Sequence, residues 1–139
     1  MSGSTVGGMP TSTNAATVVE FLDSLAASDL DTAISLLDPR IEWRNAGLPT
    51  LRGERVISVL RQMDGPGTEF GVEWNQVAET DDGTVLTDRY DTLGWKRLRS
   101  RFWVMGTFHL EDGRITVWDD KFSTRNVLAG AVRATLRTR

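Results

Sequence analysis

The sequence predicts an α+β domain, a mostly antiparallel sheet covered on one face by helices. Three observations carry this expectation. Apolar residues recur at helical spacing as far as Met63, and from Thr68 to Phe122 the chain breaks into alternating runs joined by short polar turns. The 139 residues are 40% apolar and include five Trp and five Phe, enough for one packed interior and too few for two.

The elements follow in chain order. Residues 1–14 (MSGSTVGGMPTSTN) are mostly Gly, Ser and Thr and are expected to be a flexible lead, leaving residues 15–139 as the single domain. Val18, Phe21, Leu22 and Leu25 fall at i, i+3, i+4 and i+7. Thr17 and Glu20 offer a capping box, and the helix has an alternative start at Thr13 or Asn14. Leu30, Ala33, Ile34 and Leu37 repeat the spacing behind Asp29, and Asp38-Pro39 is expected to end that helix. Ile41 to Arg44 reads as a short strand and Asn45 to Pro49 as a loop. A third helix, from about Gly53 to Met63, is stopped by Gly65-Pro66-Gly67. Four strands are expected at Thr68–Glu79, Thr84–Trp95, Leu98–Leu110 and Arg114–Phe122, with Asp81-Asp82-Gly83 and Glu111-Asp112-Gly113 as hairpin turns. A closing helix is expected from about Thr124 to Leu136.

Composition narrows the chemistry. There is no cysteine, and His109 is the single histidine, which removes disulfides, thiol nucleophiles and Cys/His zinc sites and leaves a Ser-His-Asp triad without support. Sixteen Lys and Arg against nineteen Asp and Glu give a net charge of −3, too balanced for a nucleic-acid surface. No basic-then-apolar leader and no run of about 20 apolar residues is visible, so the protein is expected to be soluble and cytoplasmic. Any reaction has to run on carboxylates, arginine, amides and hydroxyls.

Side chains alternate along a strand, so each strand divides into two faces. One face of the last strand is expected to carry Thr116, Trp118, Asp120 and Phe122, which sets a carboxylate between two aromatics. Such an Asp is either desolvated or lines a cavity. In the strand from Thr84, one face carries Val85, Thr87, Arg89, Asp91 and Leu93, with Arg89 beside Asp91. Either carboxylate taken alone is also explained by a structural ion pair. Together, two carboxylates on apolar faces with an arginine between them can have their pKa values pushed apart, one ionised and one protonated. An ordinary Asp titrates near 3.9, and bringing one to about 7 takes roughly 4 kcal/mol of desolvation and repulsion. The chemistry that suits is concerted acid and base catalysis with no metal, cofactor or covalent intermediate.

With these residues in place, the sequence resembles the limonene-1,2-epoxide hydrolase family from about Val18 to Val127. The resemblance rests on Trp43-Arg-Asn45 with Leu48-Pro49 and Arg52-Gly53, on Leu86-Thr-Asp-Arg89-Tyr-Asp91, and on Asp112-Gly113 followed by Trp118-Asp-Asp120-Lys-Phe122. It implies a curved mixed sheet wrapped by three to four helices into a cone with a deep apolar pocket, the architecture of nuclear transport factor 2-like and SnoaL-like proteins, usually as a homodimer. It also implies roles: Asp120 as general base toward water, Asp91 as general acid toward the epoxide oxygen, Arg89 as the bridge between them, and Asn45 as the amide holding the water. Trp43 departs from the family, standing where a water-holding tyrosine is usual. An indole N–H donates but cannot accept, so Trp43 is read as a wall of the pocket next to the water. Asp119 and Lys121 also depart from the family's usual Arg and Tyr, and alternation turns them away from Asp120.

The expected activity is cofactor-independent hydrolysis of a small hydrophobic, terpene-like or cyclic epoxide to a vicinal diol. The alternatives are an epoxide-opening cyclase or isomerase using the same acid and base, and a non-catalytic small-molecule binding protein on the same fold. No nucleic acid or membrane is expected as a partner. His109 is expected to be structural or solvated, and the basic run Lys96 to Arg101 to be a hairpin surface. Trp74, Trp95 and Trp103 are expected in the core or on a dimer-forming sheet. Leu25, Leu37, Leu48, Val59, Leu60, Leu93, Trp103, Met105 and Phe122 are candidates for the pocket lining.

Overall fold

The computed structural model describes residues 13–122. The predicted closing helix and residues 1–12 of the predicted lead lie outside the described residues.

Helix α1 (Thr13–Ala26) places Ala15, Val18, Phe21 and Leu22 on one fully buried stripe. The Phe21 ring meets Trp118 edge-on at 4.9 Å and 85°, the offset geometry that aromatic quadrupoles favour. Asp29 caps α2 (Leu30–Ser35) by accepting the Thr32 amide at 3.3 Å.

The predicted second helix ends earlier than expected. Leu37 is already the first residue of β1 (Leu37–Asn45), because the Leu36 carbonyl accepts the Ile115 amide at 2.9 Å and Leu37 pairs with Ile115. The chain thus joins the sheet before Pro39. Between Leu37 and Glu42 the register slips against Ile115 and Val117, and Pro39, lacking a donor, falls in that bulge. A two-residue strand that the sequence does not announce, β2 (Leu51–Arg52), pairs with Glu42 and Trp43. Helix α3 (Glu54–Met63) buries Val56 and Leu60.

Strands β3 (Thr68–Glu79), β4 (Val85–Trp95), β5 (Leu98–Glu111) and β6 (Arg114–Lys121) fall within two residues of the predicted limits. Asp112 and Gly113 both take positive φ, 51° and 78°, the type I′ geometry that matches a hairpin's twist. The six strands form one sheet in the order β2-β1-β6-β5-β4-β3, antiparallel throughout except where β1 lies parallel to β6. The resulting α+β architecture matches the expected mixed sheet.

The expected face of β6 needs correction, and other expectations are narrowed. In β6 the alternation slips: Ile115 is buried on the same side as Trp118, while Thr116 is half-buried and donates to the His109 carbonyl at 3.1 Å. A register shift opposite His109 and Leu110 absorbs the extra residue, so the predicted face runs true only from Trp118 onward. Of the two places expected for Trp95 and Trp103, the core and a dimer-forming sheet, the core is excluded, since both are half exposed. Trp103 instead donates to Asp88 from the outer face of the sheet, and Lys96 lies over the Trp95 ring at 4.4 Å. Trp74 is partly buried, with its N–H on Asp23 at 2.9 Å. The basic run is not a bare cationic patch, since Arg99 pairs with Glu69 and Arg101 with Glu73, each at 2.7 Å. His109 is exposed. No helix among the described residues is long and apolar enough to cross a membrane.

Candidate active site

Strand pairing assembles the site row by row. Asn45 on β1 lies opposite Asp120 on β6, Asp120 opposite Gly106 on β5, and Gly106 opposite Thr87 on β4. Two residues along β4, Arg89 lies opposite Val104, and two further, Asp91 lies opposite Phe102. Period-two alternation turns Thr87, Arg89 and Asp91 to one buried face, as the sequence predicts.

The Arg89 side chain is wholly buried, and its guanidinium bridges both carboxylates. Nε donates to Asp91 Oδ1 at 2.9 Å, and Nη2 donates to Asp91 Oδ2 at 3.2 Å and to Asp120 Oδ2 at 2.8 Å. Asp120 Oδ2 also accepts the Trp118 indole N–H at 2.9 Å, whereas Oδ1 accepts no hydrogen bond among the described residues. Nη1 donates to Thr87 Oγ1 at 2.8 Å, and that hydroxyl donates to the Gly106 carbonyl at 3.2 Å.

Above this floor opens a cavity of about 500 Å³, within the usual range for a small-molecule site. Asp91, Asp120, Trp43 and Asn45 all line it, while Arg89 lies beneath. Its walls are largely apolar, Leu60, Phe70, Leu93 and Phe102 among them. Of the predicted lining residues, Leu25, Leu60, Leu93 and Phe122 are in the wall; Leu37, Leu48, Val59, Trp103 and Met105 are not. Leu48, Trp103 and Met105 are solvent-exposed, for Trp103 and Met105 because they take the outer phase of β5. Trp43 stacks on Trp118 at 4.1 Å and 8° from parallel, and its own N–H has no partner among the described residues. Asp119 and Lys121 pair with each other at 3.1 Å on the opposite face.

Burial sets the electrostatics. Loss of water pushes Asp120 up to about 6, with Arg89 pulling against it and the nearby charge of Asp91 adding to it. Asp91 is raised for the same first reason and held back by Arg89 alone. Burial works to lower the Arg89 guanidinium, yet the two carboxylates outweigh it and hold it above its ordinary value. With both acids ionised the buried trio carries one net negative charge, and a single proton neutralises it. The site is therefore built to hold one acid and one base. Among the described residues no group of three or more His, Asp or Glu is placed to hold a metal ion.

Thr87, Gly106 and the Trp118 N–H are contributors that sequence reasoning did not single out. A signal existed for Gly106, since an isolated glycine inside a strand often marks a close approach.

A family model described as the limonene-1,2-epoxide hydrolase catalytic domain matches residues 12–133. The chain is 37% identical over 117 residues to the epoxide hydrolase EphG of Mycobacterium tuberculosis (strain ATCC 25618 / H37Rv), covering 84% of this chain and 77% of that one. The solved structure of an LEH-like epoxide hydrolase from M. tuberculosis superposes with a TM-score of 0.83 at 34% identity, over 89% of this chain and 92% of the other. The fold is also similar, at 14% identity and a TM-score of 0.73, to SalBIII, an epoxide hydrolase/cyclase-like enzyme of pyran ring formation in the polyether salinomycin, over 81% and 92% of the two chains.

Proposed function

The chain belongs to the limonene-1,2-epoxide hydrolase family, and from that premise we propose that it adds water to a small hydrophobic epoxide to give a vicinal diol in one step, without a cofactor. The observation that carries this reading is a pair of carboxylates on the wall of one apolar cavity, joined by a single buried guanidinium.

Ionised Asp120 removes a proton from a water held by the Asn45 amide, as the water oxygen forms a bond to one epoxide carbon. The C–O bond to the ring oxygen breaks, and that oxygen takes the proton carried by Asp91. Asp120 ends protonated and Asp91 ionised, and the proton returns to Asp91 before the next turnover. Asp120 suits the base because Arg89 and Trp118 both hold Oδ2, while Oδ1, which accepts no hydrogen bond among the described residues, is left to take the water proton. Asp91 suits the acid because burial raises it toward the protonated form and its carboxyl lines the cavity in which the ring oxygen would lie. Arg89 stays charged and holds the two at fixed separation. Trp43 serves as a wall.

As in the family pattern, the functional unit is expected to be a homodimer, with Leu86, Trp103 and Met105 on the exposed outer face of β4 and β5 available to a second copy; sedimentation equilibrium reads its mass.

The test is turnover of a panel of cyclic, terpene-like and styrene-type epoxides in ¹⁸O-water. Labelled diol from the wild type, and none from Asp91→Asn or Asp120→Asn with circular dichroism unchanged, is expected. Normal diol formation by either variant overturns the assignment, and an unlabelled ring product makes the protein a cyclase.

A further inference from the structure

Gly106 sits at the centre of the inner face of β5, between buried Val104 and Phe108. Its φ is not positive, so the backbone there makes no demand for glycine. Space does. A Cβ at Gly106 would stand 2.4 Å from Arg89 Nη1, 2.7 Å from Thr87 Oγ1 and 2.8 Å from Asp120 Oδ1. The guanidinium therefore occupies the volume a side chain would fill. Thr87, 2% exposed, closes the arrangement: its single hydroxyl proton goes to the Gly106 carbonyl, which leaves a lone pair aimed at Nη1.

We propose that Gly106 and Thr87 are positioning residues that seat Arg89, and through it set the separation and ionisation of the two carboxylates. Gly106 provides the recess and Thr87 fixes rotation about the guanidinium axis. The Nε and Nη2 edge then faces Asp91 while Nη2 also reaches Asp120. Neither residue lines the cavity. The role rests on the reaction proposed above for its kinetic expression, but the ionisation of Asp120 can be read without turnover. The charged groups that face Asp120 are Arg89 and Asp91 of β4; β1 brings Asn45 and β6 brings Trp118, which carry no charge.

The experiment compares Thr87→Val, which keeps the shape and loses the hydroxyl, with Thr87→Ser, which keeps the hydroxyl. Carboxyl-carbon NMR titration follows Asp120, and kcat, KM and the pH–rate profile are measured on any epoxide turned over. Thr87→Val frees Nη1, loosens the grip of Arg89 on Asp120 and raises the Asp120 midpoint. Its kcat is expected to fall about tenfold or more with KM little changed, and its acid limb to move to higher pH. Thr87→Ser should restore the midpoint and stay within about threefold of wild type. Gly106→Ala, if it folds, is expected to resemble Thr87→Val. An unshifted Asp120 midpoint in Thr87→Val, or equal impairment by Val and Ser, overturns the proposal. An epoxide panel that yields no turnover leaves the titration to decide, so failure of the hydrolase reading is distinguishable from failure of the seat.

Discussion

Trp118 and Asp120, two residues apart on one face of β6, are joined by a hydrogen bond from the indole N–H to the carboxylate at 2.9 Å. This bond favours the charged carboxylate and so works against burial. Trp118→Phe keeps a ring in the aromatic stack but removes the donor. The midpoint of the acid limb in the pH–rate profile should then rise by up to about one unit, since a hydrogen bond to a charged group is worth roughly 1.5 kcal/mol. An unmoved limb would show that the indole contributes packing alone.

The wild-type profile has its own expected shape. In the proposed reaction Asp120 acts ionised, and burial pushes it up to about 6. Turnover should therefore fall as pH drops through about 6, and the fall should be absent from substrate binding measured with an unreactive analogue. A flat rate down to pH 5 would remove Asp120 from the role of base.

Stability should run the other way. A carboxyl whose folded pKa lies above its unfolded value binds a proton in the native state that the unfolded chain has released. Stability is thus lost as pH rises from about 4 to about 6. A shift from 3.8 to about 6 corresponds to roughly 3 kcal/mol, as an upper figure. Asp120→Asn removes this buried charge and leaves Arg89 paired with Asp91. It should melt several degrees above the wild type at pH 7.5, with the advantage shrinking by pH 5, while losing turnover. A lower melting temperature at pH 7.5 would contradict this electrostatic account.

Trp43 offers a cleaner separation of wall from ligand. Its ring stacks on Trp118 and its N–H has no partner among the described residues, a cost of about 1–3 kcal/mol for a buried donor. Trp43→Phe keeps an aromatic wall and deletes the orphan. Melting should be unchanged or higher, and kcat should stay within about threefold. Asn45→Leu should lose far more turnover. A tenfold or greater loss in Trp43→Phe would instead assign the N–H to the nucleophile.

Much of the site was legible because strand alternation is rigid. Once Arg89 and Asp91 share a strand, period two places them side by side, and the structure gives them one buried face. Trp118, Asp120 and the half-buried Phe122 follow the same rule. What escaped was whatever pairing between distant segments decides. Leu37 has helical spacing behind Asp29, yet a hydrogen bond from Ile115 draws the chain into the sheet one residue earlier. The bulge at Thr116 depends on His109 of the neighbouring strand, and no local pattern reports it. Met105 and Trp103 are apolar enough for any pocket, and only their phase on β5 puts them outside. Gly106 marks a close approach without saying to what, because the side chains that fill its place lie on β4 and β6.

The last described strand is not at an edge of the sheet but between β1 and β5. Until β6 pairs, β1 with Asn45 and Trp43 is separate in the sheet from the meander that carries Arg89 and Asp91, and the β1–β6 contacts join segments far apart in sequence. The proposed base, Asp120, thus arrives on the keystone. A nascent or half-unfolded chain can hold the acid or the water site but never the pair, which makes chemical competence a report on complete folding.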